Sequence, residues 1–149
     1  MSEYQDLGRL LACCGHLGRQ YGENLLRQRG YDVTPVQTRM LVYLSCCRDE
    51  VNQRDLEREL RLRPSTVNGI VSRLEEKGYI ARRTSPTDGR VRLVSLTDAG
   101  RGKLDAFRVT LEEVNRRFGA ILTAEEQEQL GGLLSRIITD LENEVNKVC

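Results

Sequence analysis

Ser65, Thr66, Asn68, Gly69, Ser72 and Arg73 recur along one side of a short stretch of this 149-residue chain. They are short hydrogen-bonding groups, one gap and one cation. No long apolar side chain stands among them. Between them Val67, Ile70, Val71 and Leu74 fall at i, i+3, i+4 and i+7, the spacing of one apolar helix face. A helix so divided buries the second set and presents the first. That polar face can approach another surface closely and exchange hydrogen bonds with it, and the donors and acceptors of a DNA major groove are a natural match. Asn68 and Arg73 are the side chains able to pair bidentately with base edges. Ser65, Thr66 and Ser72 suit phosphates or single hydrogen bonds, which position rather than specify. Gly69 permits close approach. Arg63 and Pro64 stand at the helix start, where free N–H groups and a cation both attract a phosphate.

A basic hairpin follows. Ile80–Ser85 and Val91–Leu96 flank Pro86-Thr87-Asp88-Gly89, a turn cluster. The hairpin carries Arg82, Arg83, Arg90 and Arg92. Arg90, near the tip, can reach a narrow and strongly negative minor groove. Asp88 beside it would be repelled by phosphate, so its expected task is to orient an arginine of the hairpin. Arg82 and Arg83 are open between solvated strand ends and DNA contacts, and Arg83 and Arg92 join Arg90 in the expected contact set. A helix with a small polar face followed by a basic hairpin is the layout of a winged helix-turn-helix.

The residues also carry a family pattern. Asp88-Gly89-Arg90 with Arg92, then Leu96-Thr97 and Gly100, resembles the D-x-R…L-T…G signature of the multiple antibiotic resistance regulator (MarR) family. The run S-T-V-N-x-I-V-x-R-L-E-x-K-G-Y-I over Ser65–Ile80 resembles that family's recognition helix. The resemblance implies a homodimeric, usually cytoplasmic transcription regulator of inverted-repeat DNA, with Arg90 in a minor groove. It also implies an effector cavity near the first helix, for which His16, Arg39 and Tyr43 are the candidates, each a polar or amphipathic group near an apolar helix face.

The elements that must position these residues are mostly helical. Leu7, Leu10, Leu11, Cys14, Leu17, Tyr21 and Leu25 predict a helix from Glu3 to about Arg29, ended by Gly30. Thr34-Pro35-Val36-Gln37 predicts a capped start for a second, which ends near Cys47. Asn52 is placed to cap a short third, so the helix-turn-helix spans 52–77. After the hairpin, Thr97-Asp98 caps a fifth helix. There Leu104, Phe107, Leu111, Val114, Phe118 and Ile121 make a heptad seam. Thr123 to Glu126 opens a sixth with a capping box. The expected fold is a single domain, 1–149: a winged helix-turn-helix over 34–96, with dimerisation helices over 1–30 and 98–149. Two long terminal stripes with no third layer to bury them favour a second copy as partner.

Composition narrows the function. Net charge is only +1, yet residues 51–96 hold ten cations against six anions and residues 105–149 five against nine. One surface suits phosphate and another faces away from it. No run approaches the length of a membrane span. Met1–Asp6 is acidic and shows no signal-peptide pattern, so a cytoplasmic location is expected. Cys13, Cys14, Cys46, Cys47 and Cys149 have no metal-ligand spacing, and free thiols are expected, with Cys14 a small core residue on its stripe. The single histidine has no nucleophile and third group marked beside it, which argues against a hydrolase. The expectation is therefore a sequence-specific DNA-binding regulator, a ligand-relieved repressor acting on double-stranded DNA, without cofactor, metal or catalysis. Two alternatives stay open: a thiol-switched regulator of the same fold, and a winged helix that binds protein instead of DNA.

Overall fold

The computed structural model describes residues 6–147. Glu3 to Gln5, expected in the first helix, and Cys149 lie outside the described residues. The order is α1 (Leu7–Gln28), α2 (Pro35–Cys46), β1 (Val51–Asn52), α3 (Gln53–Leu60), α4 (Pro64–Glu76), β2 (Ile80–Thr84), β3 (Arg92–Leu96), α5 (Asp98–Gly119) and α6 (Ala124–Lys147). Two compact units result, Met1–Thr110 and Leu111–Cys149, with α5 running from the first into the second.

Helix ends in the first unit follow local chemistry. Thr34 and Gln37 form the capping box at the start of α2, each side chain bonding the other's backbone N–H. α1, α3 and α4 stop by one device. Gly30, Arg61 and Gly78 take left-handed φ of 69°, 52° and 75°. The next residue then donates back to a carbonyl in the last turn: Tyr31 to Leu26, Leu62 to Glu57, Tyr79 to Leu74. Glycine adopts this conformation freely. Arg61 is the one non-glycine residue that does so among the described residues, and it makes the turn between α3 and α4.

The core is aliphatic. Met40, Leu41 and Leu44 of α2, Leu56 and Leu60 of α3, and Val67, Ile70, Val71 and Leu74 of α4 meet Ile80, Val94 and Leu96 of the strands and Leu104 of α5. Full burial of a side chain such as Leu74 contributes about 1.5–3 kcal/mol. The sheet has three antiparallel strands in the order β1-β3-β2. β2 and β3 pair from Ile80 with Leu96 to Thr84 with Arg92. β1 adds Val51 opposite Val94 and Asn52 opposite Leu93. Asn52 serves twice, since its side chain also accepts from Arg54 N–H at 3.0 Å to cap α3.

The start of α5 is clamped to the end of α4. Thr97 Oγ1 donates to Gly78 O at 2.6 Å and accepts from Gly100 N–H at 3.1 Å. Thr97 N–H donates to Tyr79 O at 3.1 Å. Gly100 is buried here, and a Cβ on it would run into the Tyr79 carbonyl and stand 2.6 Å from Leu96 Cδ1.

α1 contributes no buried residue. Cys14, expected in the core, is exposed, as is Cys13. The stripe that includes Cys14 holds no fully buried residue. In the second unit, Thr123 and Glu126 close a capping box at the start of α6. Along the heptad seam Leu104 and Val114 are buried, while Leu111, Phe118 and Ile121 are 49%, 51% and 76% exposed.

Gly100→Ala should destabilise the fold by about 1–3 kcal/mol, because the methyl meets backbone that cannot yield. Gly102→Ala, where an added Cβ meets nothing, should be neutral or stabilise by up to about 1 kcal/mol. Urea unfolding of the two variants checks the contrast; equal effects would contradict the close approach.

Candidate nucleic-acid interface

Pro64 opens α4 at its first position, and no side chain caps that end. Val67, Ile70, Val71 and Leu74 are buried beneath the helix. Ser65, Thr66, Asn68, Gly69 and Arg73 are left exposed, with Ser72 half-buried. Gly69 has a telling position. A Cβ there would meet nothing within 4 Å, so packing does not require a glycine, although one in a helix interior costs about 0.5–1 kcal/mol relative to alanine. What it achieves is a low spot on the outward face.

The hairpin stands against this helix through Arg82, a residue the sequence left undecided. From β2, Arg82 Nη2 donates to Glu75 Oε2 at 2.7 Å and Nη1 to Asn68 Oδ1 at 3.2 Å. Both acceptors lie on α4, so one guanidinium joins wing and helix. Asn68, Arg82, Arg83, Thr84 and Arg92 line the groove between them. Arg83 is gripped by Glu50, just before β1: Nε donates to Oε1 at 2.7 Å and Nη2 to Oε2. The paired cation lowers the Glu50 carboxyl, and the carboxylate raises the Arg83 guanidinium. Arg92 donates to Thr84 Oγ1 across the strands.

The tip is built from its own polar groups. Ser85 N–H donates to Val91 O at 2.9 Å, and Val91 N–H to Asp88 O at 3.0 Å. Ser85 Oγ accepts from Thr87 N–H at 3.3 Å. The Asp88 carboxylate accepts from the backbone N–H of Arg90 at 2.9 Å. Asp88 therefore shapes the turn through the main chain and does not pair with an arginine side chain of the hairpin. Among the described residues Arg63, Arg73 and Arg90 hold no ion pair. The interface thus has two kinds of arginine: 82, 83 and 92 tied down in the scaffold, and 63, 73 and 90 unengaged.

Asp32, between α1 and α2, fixes the far end of α4. Tyr79 Oη donates to its carboxylate at 3.0 Å, Lys103 of α5 lies at 2.9 Å and Lys77 at 3.3 Å. Lys103 also lies over the Tyr31 and Tyr79 rings, 5.9 and 5.3 Å from their centroids. Burial alone would raise the Asp32 pKa. The hydrogen bonds from Lys103, Tyr79 and Lys77 outweigh it and hold the pKa at about 2.

The expected effector residues are less concentrated. His16 and Arg39 are exposed. Tyr43 is half-buried against the core, and its electrostatic neighbours are Cys47, Glu59 and Asp55, so it faces α3. Glu75 and Glu50 are the participants that sequence reasoning missed, and Arg82 is the one it left open. Their partners lie 7 to 33 residues away, beyond the reach of local periodicity.

A three-stranded antiparallel sheet whose hairpin flanks the second helix of a helix-turn-helix is a winged helix-turn-helix. The sequence model of the MarR family matches residues 31–91. The chain is 33% identical over 95 residues to YdgJ, an HTH-type transcriptional regulator of Bacillus subtilis, a match covering 64% of this chain but only 58% of YdgJ. With the HTH-type transcriptional repressor MdtR of Bacillus subtilis it shares 30% over 105 residues, 70% of this chain and 67% of MdtR. Among solved structures, a single-site mutant of S. aureus MepR bound to an oligodeoxyribonucleotide superposes with a TM-score of 0.73 at 27% identity, covering 91% of this chain and 98% of that one. The chain belongs to the MarR family of transcription regulators.

The Asp32 cluster makes a pH prediction. Its folded pKa lies below the ordinary carboxylate value, so its stabilisation is present above about pH 4 and lost as pH falls toward 2. Its side chain is 44% exposed, so after solvent screening the contribution is about 1 kcal/mol. Asp32→Asn should lose that amount at pH 7 and match the wild type at pH 2 in urea melts. An equal gap at both pH values would contradict the ion cluster.

Proposed function

We propose that this protein is a cytoplasmic, homodimeric repressor that binds a pseudo-palindromic DNA site and is released by a small ligand, with no catalytic activity. The observation that carries the DNA reading is the joined unit of α4 and wing. It offers a polar, low helix face, an uncapped helix start beside Arg63, and unengaged guanidiniums at Arg73 and Arg90. Major-groove entry by α4 puts Asn68 and Arg73 against base edges and Ser65, Thr66 and Ser72 near phosphates. Arg90 at the tip goes to the minor groove or backbone. The oligodeoxyribonucleotide bound to the MepR mutant supports the same partner class.

Homodimerisation is supported by uncovered apolar surface. Leu130, Leu133, Ile138, Leu141 and Val145 of α6 are 45–64% exposed, and Leu7 and Leu17 of α1 are 60% and 55% exposed. Such contiguous stripes mark association surfaces, and a second copy supplies matching ones. No helix among the described residues is long and apolar enough to cross a membrane.

Helix and wing should fail differently. Asn68→Ala should lower affinity for the selected operator by about 1–3 kcal/mol and hardly alter binding to random DNA. Arg90→Ala should weaken both and reduce the salt slope by about one unit. Anisotropy titrations across a salt series measure both quantities. If the wild type showed no salt-dependent DNA binding, a protein-interaction module would replace this reading.

A further inference from the structure

Asn68 is exposed, but its carboxamide is not free to turn. A guanidinium has only donors, so the group that Arg82 Nη1 meets at 3.2 Å must be the amide oxygen and not the nitrogen. Arg82 is anchored in its turn. Its other arm is bound to Glu75, and its side chain is only 25% exposed. Orientation therefore passes from a half-buried ion pair to an exposed base-reading side chain.

This bears on which base Asn68 can read. An asparagine that pairs with adenine offers its oxygen to the N6 amino group and its nitrogen to N7 together. Here one lone pair of that oxygen already accepts from a cation, so the oxygen is the weaker partner for a base amino group and the amide N–H groups are the stronger contacts left. The guanidinium polarises the amide and strengthens those donors. The surrounding groove adds Arg83 and Arg92, with Glu75 and Glu50 pairing Arg82 and Arg83 from beside it. A donor-rich edge complements a base edge made only of acceptors, which in the major groove is guanine with N7 and O6.

We propose that Arg82 is a positioning residue that sets the base preference of Asn68, so that Asn68 reads guanine and not adenine. This rests on the DNA-binding reading above and deepens it.

The test is selection from a randomised duplex library, followed by competition titration, with wild type, Arg82→Met, Asn68→Ala and Asn68→Asp. Asn68→Ala identifies the position, as the one in each half-site whose preference flattens. In the wild type that position should be guanine, and adenine there should weaken binding on the order of tenfold. Arg82→Met should move the preference toward adenine at that position alone, because the released oxygen no longer shares its acceptor strength with a guanidinium and can accept fully from the adenine amino group. If Arg82→Met does not fold, Asn68→Asp decides. It keeps a partner for Arg82 on an exposed site but has no donor, so guanine preference should vanish. Adenine preferred by the wild type, or guanine preference surviving in Arg82→Met or Asn68→Asp, would overturn the proposal while leaving DNA binding intact. Failure of the wild type to select any sequence would overturn the DNA reading and this proposal with it.

Discussion

The Tyr79 carbonyl and the glycine that lies against it hold the reading unit together. Three elements converge there: the last turn of α4, the first residue of β2 and the first turn of α5. Gly78 turns the chain out of α4 with a positive φ. Thr97 ties Gly78 and Tyr79 to the start of α5, and Gly100 lets the backbones close. Asp32 brings α5, through Lys103, onto the same Tyr79. The pitch of α4 relative to the first turn of α5 is thus fixed by short polar contacts at one point, on top of the aliphatic core. Two residues of the L-T…G pattern, Thr97 and Gly100, acquire a mechanical reason from this junction.

Charge in the unit is arranged by restraint as much as by excess. With a net charge of only +1 the chain has no diffuse positive field, and its cation excess is local. Glu75 and Glu50 hold Arg82 and Arg83 against the scaffold. Those two arginines are stiff and partly neutralised. The guanidiniums of Arg63, Arg73 and Arg90 project from the helix start, the helix face and the wing tip. Rigid placement reduces the ordering cost on binding, since fewer side chains must be immobilised.

Much of this was legible in the sequence. The apolar set at Val67, Ile70, Val71 and Leu74 marked both the helix and its outward face. Pro86 to Gly89 marked the hairpin, and Thr34 and Thr123 marked helix starts. What escaped depends on tertiary contact. β1 is two residues long and has no periodicity to detect; it exists because Val94 and Leu93 offer it an edge. Arg61 in a left-handed turn has no local signature, since glycine or asparagine is the usual occupant. The Arg82 fork needs β2 folded against α4 before its acceptors come within reach. Cys14 was misplaced because a stripe at helical spacing shows that a face is apolar, not what covers it. α1 has such a stripe, and no residue on it is fully buried.

On the proposed function, two copies of the α4–wing unit bind DNA with two-fold symmetry. Hydroxyl-radical and methylation footprints on a selected operator test it most directly. Two equivalent protected blocks are expected, with major-groove centres about 10 bp apart and minor-groove protection at the outer flanks from the wings. A single unrepeated block, or protection confined to the backbone with no major-groove bases covered, would contradict it.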